Sequence, residues 1–405
     1  MNRKQFFILL AVVVVLGLAG IKLYQRDRGS WRGGSPSLGK KLFADLPVND
    51  VASITLKSGS NEVVVARVDN LWRVQQRGNY PANFTEISDF LVKAGDLKIV
   101  QTEDVGPSQL WRFGMLPPGP GSNTATLVEF KDATGKPINS LLLGKQHMRK
   151  AAKPSPMEEM GGGEQGWPDG RYVVAGGAGK PVALISEALA NLEANPAKWL
   201  NMDFFKIEKP RTIAVTFPSA TNSWKLVRAN ENTEWVLADT TTNEVLDVSK
   251  VSGLSNPFCS PCFVDALSAD TKETTGLKQP SVVTVETFDH LTYKVNIGAK
   301  TNENQFLALT IAADLPKERT PGKDEKPEDK TKLDKDFADA QKKIQEKLAK
   351  EKAYEKWIYL VPTWTVDAVL KERSQILMEK KSETSTNAPA ADLTPPPGLA
   401  APDKP

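Results

Sequence analysis

The sequence predicts an α+β protein: two tandem duplicated domains of antiparallel sheet plus short helices, after a single N-terminal transmembrane helix. It does so through an apolar run at the amino terminus, short segments that alternate apolar and polar residues, and a recurrence of the same segment order about 160 residues later. The 405 residues are 40% hydrophobic and 25% charged, which suffices for buried cores in about two or three domains and excludes wholesale disorder. Lys+Arg 52 against Asp+Glu 49 leaves a net charge of +3, too dilute over such a surface to attract a polyanion, so no nucleic-acid partner is expected.

The first element is the run FFILLAVVVVLGLAGI from Phe6 to Ile21, preceded by Arg3 and Lys4 and followed by Lys22, Arg26 and Arg28. A membrane span needs about 20 residues at 1.5 Å each, a length reached if Lys22 and Tyr24 snorkel to the interface. Residues 1–24 are therefore expected to be a membrane anchor or a signal. A cleaved signal is the alternative, since Gly17-Leu18-Ala19 offers small residues to a peptidase; the run exceeds the usual signal core of about 7–15 residues, which favours the anchor. Positive charge is denser after the run than before it and would hold the body in the cytoplasm, but that rule weakens for long domains. The expected location is the inner (cytoplasmic) membrane, single-pass, with the body on the periplasmic side. Residues 25–41, rich in Gly, Ser and Arg, read as a flexible linker.

Repeat 1 is assigned to 42–205 and repeat 2 to 206–380. VASITLKSGSNEVVVARVDNLWRVQQ from Val51 and RTIAVTFPSATNSWKLVRANENTEWVLAD from Arg211 each read as three strands, with Trp72 and Trp235 on the third as core residues. A helix follows each: NFTEISDFLVKAG, capped by Asn83 with Phe84, Ile87, Phe90 and Leu91 at helical spacing, and LDVSKVSGL, capped by Asp247. Next come a strand (DLKIVQ or FCSPCFVD), a turn at Gly114 or Gly276, and paired strands ending in LLLGK or VNIGAK. Both copies are then expected to break into a polar insertion at the same place, resume with RYVVA or WIYLV, and close with a short helix around Ile185, Leu189 and Leu192 or Val366, Val369 and Leu370.

The insertions differ in kind. The first is a Gly/Pro/Met-rich loop; the second, about 316–353, carries the charged helix KLDKDFADAQKKIQEKLAKEK. Leu333, Phe337, Ala340, Ile344 and Leu348 form a narrow apolar stripe on it. The stripe suits docking on its own domain or, alternatively, a partner-binding helix. The Pro/Ala/Ser/Thr-rich residues 381–405 are expected to be a disordered tail.

Few residues offer chemistry. Cys259 and Cys262, in Cys-Ser-Pro-Cys, are all the thiols present. A local disulfide or idle pair is favoured over a redox site, because a redox site would have the first Cys opening a helix. Zinc would need His147 and His290, one from each copy, to converge on them. Gly161, Gly163 and Gly166 spell a dinucleotide fingerprint without the strand and helix it requires. Gly176 to Lys180 imitates a phosphate loop, but Val174 stands at its first Gly and Pro181 at its magnesium-binding hydroxyl. No Gly-x-Ser-x-Gly elbow is present, so no catalytic residue, cofactor or metal is assigned. Trp31, Trp111 and Trp167 are candidates for a glycan- or lipid-binding surface.

The single span, the phrases GKKLFADLPVNDVASITLKSG and LWRVQQRGNYPANFTEISDFLVKAGDLKIVQTE, and the repeated module together resemble the bacterial domain of unknown function 4340 family of membrane-anchored envelope proteins. The likeness covers most of Leu42 to Leu200, with a weaker second copy over Arg211 to Leu377. It implies association with ABC-type transporters and gliding-motility-like subunits, and it supplies no catalytic residues. The expected function is a non-catalytic, membrane-anchored extracytoplasmic scaffold or accessory protein of an ABC-transporter-like complex. A thiol-disulfide protein using Cys259 and Cys262, or a glycan- or lipid-binding module, is the alternative.

Overall fold

A computed structural model describes residues 38–149, 166–177, 179–240, 244–254, 256–271, 274–322 and 325–379. The N-terminal apolar run, Trp31, most of the linker, most of the Gly/Pro/Met-rich insertion and the C-terminal tail lie outside the described residues. Among the described residues no helix is long and apolar enough to cross a membrane.

Two antiparallel sheets make the body. The first comprises β1 (Ser53–Ser58), β2 (Asn61–Val68), β3 (Leu71–Val74), β4 (Tyr80–Pro81), β5 (Ile99–Glu103), β6 (Thr126–Lys131), β7 (Pro137–Arg149), β8 (Trp167–Ala175) and β9 (Val182–Ile185), in the order β4-β3-β2-β1-β6-β7-β8-β9-β5. Helix α1 (Phe84–Asp96) lies between β4 and β5 in the chain. The second sheet comprises β10 (Pro210–Thr216), β11 (Trp224–Val227), β12 (Val236–Leu237), β13 (Asp265–Ser268), β14 (Ser281–Thr287), β15 (Leu291–Thr301), β16 (Asn304–Ala313) and β17 (Trp357–Pro362), in the order β12-β11-β10-β14-β15-β16-β17-β13. Set β4 aside and the two orders are the same.

Local chemistry explains the elements. Asp69 and Asn70, both with positive φ, make the two-residue turn that matches the twist of β2 and β3. The Asn83 side chain accepts the Thr85 and Glu86 amides at the start of α1, and Ile87, Phe90, Leu91 and Ala94 form its buried face. Phe90 stacks on Phe130 of β6 with ring centroids 5.8 Å apart, seating α1 on the sheet.

The paired Gly positions are a second shared feature. After Leu143 the pairing of β7 with β8 skips a residue, and after Ile297 that of β15 with β16 does the same. Gly144 and Gly298 occupy these bulges, where a Cβ would stand 2.3 Å from the Phe113 carbonyl oxygen or 2.1 Å from that of Thr275. Gly114 and Gly276, both with positive φ, turn the chain that supplies those carbonyls.

A single hydrophobic core runs through both sheets. At the joint, Tyr80 of β4 lies 4.8 Å from Trp357 and 5.9 Å from Phe263, ring centre to ring centre, and Phe204, in the segment between the two sheets, lies 4.5 Å from Tyr359. Arg77 forms a two-pronged ion pair with Asp265, at 2.7 and 2.8 Å, and the Trp357 indole donates to the Arg77 carbonyl.

Several expectations are corrected. The insertions do not fall at the same place: the first separates β7 from β8, whereas the second separates β16 from β17. NQFLALTIAA and VALI are both strands, so the counterpart of RYVVA (β8) is QFLAL (β16) and that of WIYLV (β17) is VALI (β9). Ile185 ends a strand and no helix follows it through Leu192; Val366, Val369 and Leu370 follow a single 3-10 turn at Thr363–Thr365. FCSPCFVD is not a strand until Asp265. The second helix, α2 (Val248–Val251), is one turn plus a 3-10 extension. Trp235 sits just ahead of β12, not within it.

Candidate functional site

A cleft of about 800 Å³ opens at one end of the first sheet, beside the joint with the second. Ser58 and Asn61 from the β1–β2 turn, Thr126 from β6, Gln146 from β7, Arg171 from β8 and Asn195 from the loop ahead of Pro196 contribute polar groups to its walls. Gln76 and Arg77 close the side facing the second sheet, and Glu62 and Glu193 stand exposed at the rim.

Arg171 is the distinctive member. Its Nε donates to the Gly144 carbonyl at 2.9 Å and its Nη1 to the Leu189 carbonyl at 2.9 Å, so it ties the bulge to the covering loop. No carboxylate lies within ion-pair distance of it among the described residues, and desolvation in this half-buried position lowers its pKa. Arg77 differs, because Asp265 neutralises it. Thr126 donates to Ser58 at 3.2 Å, and Gln76 accepts the Val64 amide at 2.9 Å.

The residues singled out in the sequence fall elsewhere. Cys259 and Cys262 are half-buried free thiols in the turn that precedes β13, between Phe258 and Phe263, both buried in the aromatic core. Cys259 opens no helix. His147 pairs instead with Asp169 at 2.6 Å across the β7–β8 hairpin, and His290 occupies the turn before β15. Among the described residues no three His, Cys, Asp or Glu side chains converge to hold a metal. Trp72 and Trp235 are both buried, each under an arginine: Arg67 at 5.4 Å and Arg228 at 4.7 Å from the ring centre. Trp111 and Trp167 are exposed.

The charged insertion folds as helix α3 (Lys330–Lys352), and its stripe divides. Ile344 and Leu348 pack on the core, whereas Phe337 is half-buried and Leu333 and Ala340 are exposed. The carboxy-terminal half also clamps the inter-sheet linker. Buried Glu351 accepts the Lys206 amide at 3.0 Å and the Tyr293 hydroxyl at 2.7 Å, and Lys347 pairs with Glu208 at 2.9 Å.

The family profile described as Domain of unknown function (DUF4340) matches residues 72–280, just over half of the chain. The chain belongs to this family. No curated protein and no solved structure matches. The part shared with the family runs from β3 through β13, so it contains Arg171, both cysteines and, of the joint, Arg77, Tyr80, Phe204, Phe263 and Asp265 but not Trp357 or Tyr359, and it ends before α3.

Sequence inspection missed Arg171 and the Gly pair. Their signal was the repeat itself. Aligning GRYVVA with NQFLAL, rather than with WIYLV, sets Arg171 opposite Gln305 and exposes the shared Gly of LLLGK and VNIGAK.

Proposed function

We propose that this protein is a non-catalytic extracytoplasmic scaffold, two copies of one ancestral sheet module, tethered to the inner membrane by its N-terminal segment. It serves as an accessory subunit of an ABC-transporter-like envelope complex. The observation that carries the proposal is the fusion of two sheets of one strand order into a continuous core, from which α3 extends Leu333 and Phe337 away from its own clamp. A double module with a charged helix on its surface suits docking: the joint couples the halves, and the amino-terminal part of α3, tied to the preceding loop by Arg319–Asp334 and by the Gln341 bond to the Pro316 carbonyl, presents Leu333 and Phe337 among Lys and Asp.

Affinity capture from detergent extracts tests it. A transporter ATPase and permease are expected with the wild-type chain and are lost with the L333E/F337E variant, whose melting temperature should fall only a little because Leu333 is exposed and Phe337 half-buried. Capture of no membrane partner by the wild-type chain refutes the proposal.

A further inference from the structure

The second sheet supplies a control for Arg171. Gln146 pairs with Arg171 after the bulge in the first sheet, as Lys300 pairs with Gln305 after the bulge in the second. Gln305 donates its side-chain amide to the Gly298 carbonyl at 3.0 Å, the counterpart of the Arg171 bond to Gly144. An uncharged amide therefore satisfies the bulge carbonyl, and the fold does not require a cation there.

The charge nonetheless sits in a cleft where it is partly stripped of water and unmatched by any described carboxylate. Burying an unpaired cation is unfavourable. Arg171 carries five N–H donors, of which the described residues occupy one on Nε and one on Nη1. We propose that the cleft is a binding site for a small, hydroxyl-rich molecule with one carboxylate, which Arg171 receives while the neighbouring amides and hydroxyls take its neutral polar groups.

The other charges set the class. Arg77 is already committed to Asp265, so the cleft offers one free cation among the described residues lining it. Glu62, paired with Lys57, and Glu193 stand at the rim, and both repel a multiply charged anion. A singly charged carboxylate is thereby preferred over a phosphate. Asn61 and Gln146 provide both donors and acceptors, as a sugar's hydroxyls require, and Asn195, whose side-chain oxygen accepts the Ala197 amide, adds its amide N–H groups.

The test uses the full chain in detergent, with glucuronate, glucose, acetate and inorganic phosphate as probes at constant ionic strength, read by calorimetry and by NMR of arginine side chains. Glucuronate is expected to bind about tenfold more tightly than glucose, and more tightly than phosphate, with the Arg171 Nε resonance shifting on addition. R171Q keeps the second sheet's own bond to the bulge carbonyl and gives up the one to Leu189, so it should fold with a slightly lowered melting temperature while the advantage of glucuronate over glucose disappears. R171K keeps a charge and should retain part of it. Three results overturn the proposal: no binding of glucuronate or acetate by the wild-type chain, tighter binding of phosphate than of glucuronate, or glucuronate binding unchanged in a folded R171Q variant.

Discussion

Glu351 shows how one buried carboxylate can hold a helix, a linker and a sheet together. Its two oxygens take the Lys206 amide and the Tyr293 hydroxyl, whose pKa is raised by burial and then by this carboxylate. Glu351→Ala removes both acceptors and strands two donors in the interior. The expected loss is about 1–3 kcal/mol by urea denaturation, whereas Glu351→Gln, which retains an acceptor, loses less. Gly144 and Gly298 predict a matched pair of effects. Alanine at either drives a methyl into a backbone carbonyl and should destabilise by about 2–3 kcal/mol, while alanine at Gly253, which has open space around it, should change the melting temperature little. These positions were visible in the sequence as the repeated Gly of LLLGK and VNIGAK, but their reason was not. Sequence gives no sign that the Phe113 and Thr275 carbonyls pass so close.

Strands, helices and their seams were legible to the extent that alternation and capping residues spoke for them. Asn83 and Asp247 cap the helices they were expected to cap. VALI escaped because it is apolar at every position and buried throughout, which removes the alternation that marks a strand with one wet face. The first-copy helix expected around Ile185 to Leu192 failed for the same reason: apolar residues at helical spacing there belong to a strand end and the loop that Arg171 fastens. The seam between sheets was illegible, since Arg77 and Asp265 lie 188 positions apart. That pair is about one-fifth exposed on each side, and breaking it leaves one charge poorly solvated. Arg77→Ala and Asp265→Ala are each expected to cost about 2 kcal/mol, and the double variant less than the sum, with a coupling near 1 kcal/mol by a double-mutant cycle.

As an assembly, the molecule is one topology used twice, with its asymmetries where chemistry concentrates. The composition and the segment order announced two sheets of one class, and the resemblance to the DUF4340 family was legible in the phrases around Trp72. Where the copies diverge, the sequence was harder to interpret: Arg171 against Gln305, a hairpin insertion against the α3 arm, and β4 against no strand.

Among the described residues β4 has no counterpart strand in the second sheet. The halves meet head to tail, the β4 side of the first against β13 and β17 of the second, and a contact of that type has no internal symmetry to close it. Modules joined this way propagate into filaments whenever the trailing unit carries the same socket as the leading one. Among the described residues β12 is the last strand on the corresponding edge of the second sheet. Tyr80 thus finds its partners, Trp357 and Phe263, within the same chain, and the socket between the halves is filled from inside.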